Sequence, residues 1–106
     1  MAWAYLVLAG LFEIGFATTL KLSEGFTRLR PTLIFFVCLV VSLALLARAA
    51  RDLPIGTAYA VWTGIGAAGT VLIGILVYKE PATALRLFCL ATLIGSIIGL
   101  RLATPT

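Results

Sequence analysis

Leu53–Tyr78 reads LPIGTAYAVWTGIGAAGTVLIGILVY, 26 consecutive residues without one charge. At about 1.5 Å per helical residue such a run reaches roughly 39 Å, beyond the ~30 Å hydrocarbon thickness of a bilayer. Outward from it, Pro31–Ala47 is also uncharged, and Met1–Leu20 is broken only by Glu13. The other charges fall in Lys21–Arg30, Arg48–Asp52 and Lys79–Arg86 and at Arg101. The whole chain of 106 residues is 62% hydrophobic and 11% charged, against about 45–50% and 25% in soluble domains. A soluble enzyme is excluded.

These clusters divide the chain into an all-α membrane protein, a single domain over 1–106 with four transmembrane helices predicted at about 2–20, 31–50, 54–78 and 82–102. Pro31, Pro54 and Pro81 each follow a charged loop and suit a first helical turn, where the missing N–H leaves nothing unpaired. Helix 4 fits only if Arg86 and Arg101 reach opposite interfaces. Short loops predict that consecutive helices pack as antiparallel neighbours. Counting Lys and Arg by side gives three (Arg48, Arg51, Arg101) against five (Lys21, Arg28, Arg30, Lys79, Arg86). So small a bias is a weak positive-inside signal and permits both orientations.

Other classes fall away on residue type. The net charge of +4 is spread over short loops rather than gathered on one face, so no nucleic acid is expected. The chain has no His, and Cys38 and Cys89 stand alone in separate apolar runs, which predicts neither metal site nor disulfide. No cofactor motif survives inspection. Gly64-Ile65-Gly66-Ala67-Ala68-Gly69 matches the dinucleotide fingerprint G-x-G-x-x-G, but no strand precedes it and it lies inside the uncharged run. The first apolar run lacks the positive flank of a secretory signal and is read as structure.

Glu13 is the most informative residue. A carboxylate in a spanning helix is costly, protonation relieves much of that cost, and intramembrane acids are functional by default. A group that alternates between protonated and charged forms can exchange a proton for a cation. Gly10 and Phe16 share its face, with Ala9 and Ala17 small enough to admit another helix. Ser42, mid-way along helix 2, either bonds that carboxylate or satisfies its own i−4 carbonyl. Tyr59 and Trp62, three residues apart, share a face of helix 3, and their rings beside a carboxylate suit an organic cation. Gly64 and Gly66 permit close helix contact or a kink. Gly95-Ser96-Ile97-Ile98-Gly99 is G-x-x-x-G, a helix-association pattern.

Gly10–Glu13, Ser23–Arg28, Leu53–Gly69 and Tyr78-Lys79-Glu80-Pro81 together resemble the small multidrug resistance transporters over nearly the full length. Lys79-Glu80-Pro81, Thr83-Ala84-Leu85-Arg86 and Gly95–Arg101 are most similar to the guanidinium-exporter branch. The resemblance implies a multi-pass protein of the bacterial inner membrane, a proton-coupled antiporter working as an antiparallel, dual-topology homodimer. It implies that Glu13 binds protons or a small organic cation, that Gly10, Phe16, Ser42, Tyr59 and Trp62 line the pocket, that Gly64 and Gly66 flex helix 3, and that Gly95 and Gly99 form the dimer contact. One departure is that the branch usually carries a Trp one turn after the central Glu, where this chain has Phe16. Lacking an indole donor, Phe16 predicts a pocket open to bulkier hydrophobic cations. The alternatives are a polyspecific quaternary-ammonium exporter and a non-transporting assembly subunit. A membrane enzyme would need a second reactive group, which the spans lack.

Overall fold

The computed structural model describes residues 1–104 and contains four helices: α1 (Ala2–Leu22), α2 (Leu29–Ala49), α3 (Ile55–Leu76) and α4 (Ala84–Ala103). All four are long and apolar enough to cross a membrane. Their ends follow local chemistry. After α1, the buried Ser23 hydroxyl donates to the Leu20 carbonyl at 2.7 Å and accepts the Phe26 N–H at 3.1 Å. Glu24, Gly25 and Phe26 then take three consecutive positive φ values. Ser23 O, receiving both Thr27 N–H and Arg28 N–H, closes that left-handed turn.

The helix ends differ from the predicted ones by up to two residues. α2 opens at Leu29, so Pro31 lies inside its first turn, where its absent N–H has no helical partner to lose. Pro54 is the N-cap of α3, which stops at Leu76 before the left-handed Lys79. α4 opens at Ala84 because the Thr83 side chain caps it, accepting Arg86 N–H at 3.2 Å. The Arg86 guanidinium turns back to the loop, donating to the Pro81 carbonyl at 2.8 Å and to Glu80 at 3.0 Å.

Packing departs further from the sequence expectation. α1 lies between α2 and α3, and α4 packs along α3 alone; α2 and α3, though joined by a short turn, barely touch. The helices therefore form a slab, 43 × 35 × 17 Å. The reason is the distribution of small residues. Ala2, Leu6, Ala9 and Gly10 are the buried positions of α1, and Ala58, Val61, Gly64, Gly66, Ala68 and Gly74 those of α3. These small residues let α3 pack on one face of α1 while α2 occupies another, and leave little of α2 facing α3. Only Leu90 is buried on α4, which leaves most of that helix without a protein neighbour.

Candidate functional site

Glu13 lies 11 residues from the start of α1 and 9 from its end, which places it about 14–16 Å from either end, near mid-membrane. Its carboxyl rests on the backbone of Gly66, where a Cβ atom would overlap it. One turn earlier Gly10 is packed against Ile65, and the following residue, Ile14, fills the space over Gly69. The α1–α3 seam is thus parallel, with Gly10, Glu13 and Ile14 facing Ile65, Gly66 and Gly69 in order. The glycines of the false dinucleotide motif are sockets: Gly66 and Gly69 receive α1 side chains and Gly64 receives Ile97 of α4, whose Cδ1 lies 2.8 Å from where a Cβ would stand. Helix α3 is continuous through Gly64 and Gly66.

Ser42 takes neither role that the sequence offered it. Its fully buried hydroxyl donates to the Ala9 carbonyl of α1 at 2.7 Å and accepts the Trp62 indole N–H at 2.9 Å. One hydroxyl therefore ties three helices together. Its proton is committed to Ala9, the residue whose carbonyl sits one turn before Glu13, so it does not reach the carboxylate. Glu13 Oε1 is shut from solvent and has no hydrogen-bond partner among the described residues. A buried acceptor left alone costs about 1–3 kcal/mol, more if charged. Thr70 Oγ1 of α3 is likewise buried without a partner among the described residues, but Glu13 is the carboxylate of the pair.

Aromatic rings flank this point. Trp62 is 6.5 Å from Phe16 and 5.7 Å from Tyr59, both centroid to centroid and tilted. Tyr59 is 57% exposed, so its wall is open on the side away from the chain. Phe35, which the sequence reading passed over, meets Phe16 edge-on at 5.8 Å, and Phe26 and Phe36 continue the series towards the α1–α2 turn. A depth count finds these partners. Phe16 is six residues before the end of α1 and Phe35 six after the start of α2, while Ser42 and Trp62 each stand seven residues from the α2–α3 turn. In antiparallel helices, equal distances from the turn mean equal depth. Gly95 and Gly99 lie elsewhere, on the outer face of α4, with nothing within 4 Å of a Cβ built on either. No cluster of metal-ligating side chains occurs among the described residues.

The profile of the family described as Small Multidrug Resistance protein matches residues 1–93. The chain belongs to the small multidrug resistance family. It is similar to proteins named guanidinium exporter over 104 residues, 98% of this chain and 99% of each relative. Identities are 52% for that of Escherichia coli O6:H1, 51% for that of Shigella flexneri and 50% for that of Citrobacter freundii. As a family member with four spanning helices, it is a multi-pass transport protein of the bacterial inner membrane. Within this small multidrug resistance chain, Trp62 joins Phe16, Tyr59 and Ser42, Glu13 lies against Gly66 one turn further along α3, Gly10 sits in the same α1–α3 seam, and Gly95 and Gly99 do not join them.

Proposed function

We propose that this protein exports guanidinium or small guanidinyl cations in exchange for protons, with Glu13 binding both. The observation that carries the reading is the Glu13 carboxyl in mid-membrane, with one buried oxygen lacking any donor among the described residues. A proton supplies that oxygen in one half-cycle. In the other, a guanidinium N–H donates to the carboxylate, a charge-assisted hydrogen bond stronger than a neutral one. The rings of Trp62, Tyr59 and Phe16 attract the same cation through their faces. Because one carboxylate balances either one proton or one cation, occupancy by the first excludes the second, and exchange follows.

The working unit is an antiparallel, dual-topology homodimer. What supports it is the open side of the aromatic wall at Tyr59, the bare Gly95–Gly99 face of α4 and the near-balance of loop charges. A second copy completes the site with its own Glu13. The names carried by relatives of about 50% identity favour guanidinium over quaternary ammonium ions.

The deciding experiment is proton movement in proteoliposomes holding a pH gradient, driven by guanidinium or by tetrapropylammonium. Guanidinium-driven proton flux is expected. Flux with tetrapropylammonium alone would move the protein to the quaternary-ammonium class, and flux with neither would make it a non-transporting subunit. In the same vesicles a C-terminal tag is expected to be accessible from both sides; labelling from one side only removes the antiparallel pair.

A further inference from the structure

The opposite end of the molecule from Lys21 holds a second, unrelated site. The start of α1, the α2–α3 turn and the last turn of α4 enclose a cavity of about 400 Å³ lined by Met1, Ala2, Trp3, Asp52, Leu53 and Arg101. Arg101 stacks its guanidinium 4.8 Å over the Trp3 ring. It finds no carboxylate within 4 Å among the described residues, where the ion pairs are Arg28–Glu24, Arg48–Asp52 and Arg86–Glu80. Asp52, the one acid of the cavity, is already held by Arg48 at 3.0 Å. The Trp3 indole N–H is buried and has no acceptor among the described residues. The exposed Arg51 adds positive potential from the same turn. Among the described residues, the cavity therefore holds a guanidinium without a carboxylate partner and no free acid to meet it.

Trp3 and Arg101 also border an apolar groove of about 290 Å³, whose further walls are Val7, Val61, Ile65, Ile97 and Ile98. A polar, cationic head space and a greasy channel thus share two residues. Arg101 lies in the last turn of a 20-residue helix, a length of about 30 Å, which puts it at headgroup depth. The groove runs from that level towards the membrane interior. A ligand fitting both parts has an anionic phosphate at one end and a hydrocarbon chain at the other.

We propose that this is a binding site for an anionic phospholipid, the phosphodiester held by Arg101 and one acyl chain laid in the groove beside Ile98. Basic residues flanking helix ends attract acidic lipids, and Arg gives a phosphate two parallel donors. The lipid would brace α4 against α1, a pair whose backbones do not otherwise meet.

The test uses full-length protein reconstituted in nanodiscs of equal phosphatidylglycerol and phosphatidylcholine, then released for native mass spectrometry. The wild type is expected to retain phosphatidylglycerol over phosphatidylcholine by about tenfold. Arg101→Gln should lower that retention about tenfold, the loss of one charge-assisted contact, while Arg101→Lys keeps part of it. Ile98→Trp, which fills the groove and leaves the head space alone, should lower retention of both lipids. It carries the decision if Arg101→Gln does not fold. Unchanged retention in both variants overturns the proposal. Displacement of the lipid by an equal concentration of inorganic phosphate also overturns it, because the acyl chain then contributes nothing. Lipid-free protein whose position 98 crosslinks to a second copy overturns it in favour of a protein contact.

Discussion

A methyl group added at Gly66 would collide with the Glu13 carboxyl and one at Gly64 with Ile97, whereas the same methyl at Gly95 or Gly99 would meet nothing within 4 Å. Both pairs stand in apolar helices, and both belong to motifs that read alike as sequence. The α3 pair is consumed inside the chain, as sockets that let α1 and α4 reach the α3 backbone. The α4 pair is left over. Small residues in membrane helices report that something approaches closely, but not whether the neighbour belongs to the same chain. In α3 the neighbour carries the one carboxylate that lies within the four helices, so packing and chemistry share one contact. In α4 the unmet face is available to a second copy.

The largest effect should come from the contact with chemistry in it. Glu13→Gln keeps the shape over Gly66 and removes the group proposed to alternate between proton and cation; substrate-driven proton flux is expected to fall to the level of empty vesicles, with the elution volume on size exclusion unchanged. Flux at the wild-type level would end the exchange mechanism. Next in size is the comparison of glycines. Gly66→Ala overpacks the α1–α3 seam, at about 1–3 kcal/mol, and should cut transport by tenfold or more. Gly95→Ala should leave the single chain unaffected and act only on the monomer–dimer equilibrium. Equal losses of fold in both, followed by thermal unfolding in detergent, would erase the distinction between used and unused faces.

Ser42→Ala tests the polar side of the same region. It strands the Trp62 indole N–H and removes the bond to the Ala9 carbonyl, a loss of about 1–3 kcal/mol. A lower melting temperature and roughly tenfold weaker guanidinium binding by titration calorimetry are expected; a silent variant would mean that water replaces the hydroxyl. The smallest effect is one of preference. Phe16 offers ring surface and no donor, and ring surface favours alkyl or aryl substituents by about 0.8 kcal/mol per buried methylene. Phe16→Trp should therefore shift the transport ratio of guanidinium to phenylguanidinium towards the bare ion by a few-fold. An unchanged ratio would assign position 16 to packing against Phe35 alone.

The four spanning segments were legible because burial in hydrocarbon acts on composition over some 20 residues, and charge marks the ends. Their boundaries moved by a residue or two where a local bond intervened, as at Thr83 and Ser23. Glu13 was equally legible, since a lone acid in an apolar run is visible without any partner. Its surroundings were not. Ser42 is legible as a hydroxyl near the middle of helix 2, yet its bonds to Ala9 and Trp62 depend on α2 and α3 both leaning on α1. The expectation of neighbouring consecutive helices pointed away from that arrangement.

By itself, then, the sequence determined that this chain lives in a membrane, crosses it four times and carries one acid near the middle. Those properties are sums along a single helix, and solvent transfer free energy fixes them before any helix meets another. Only the tertiary structure decided that Gly66 lies under the Glu13 carboxyl, that the Ser42 proton goes to Ala9, and that α4 keeps an open glycine face. Each is a question of which surfaces meet. In a bilayer no hydrophobic drive selects between them, so close packing of small residues and the pairing of a few polar atoms make the choice.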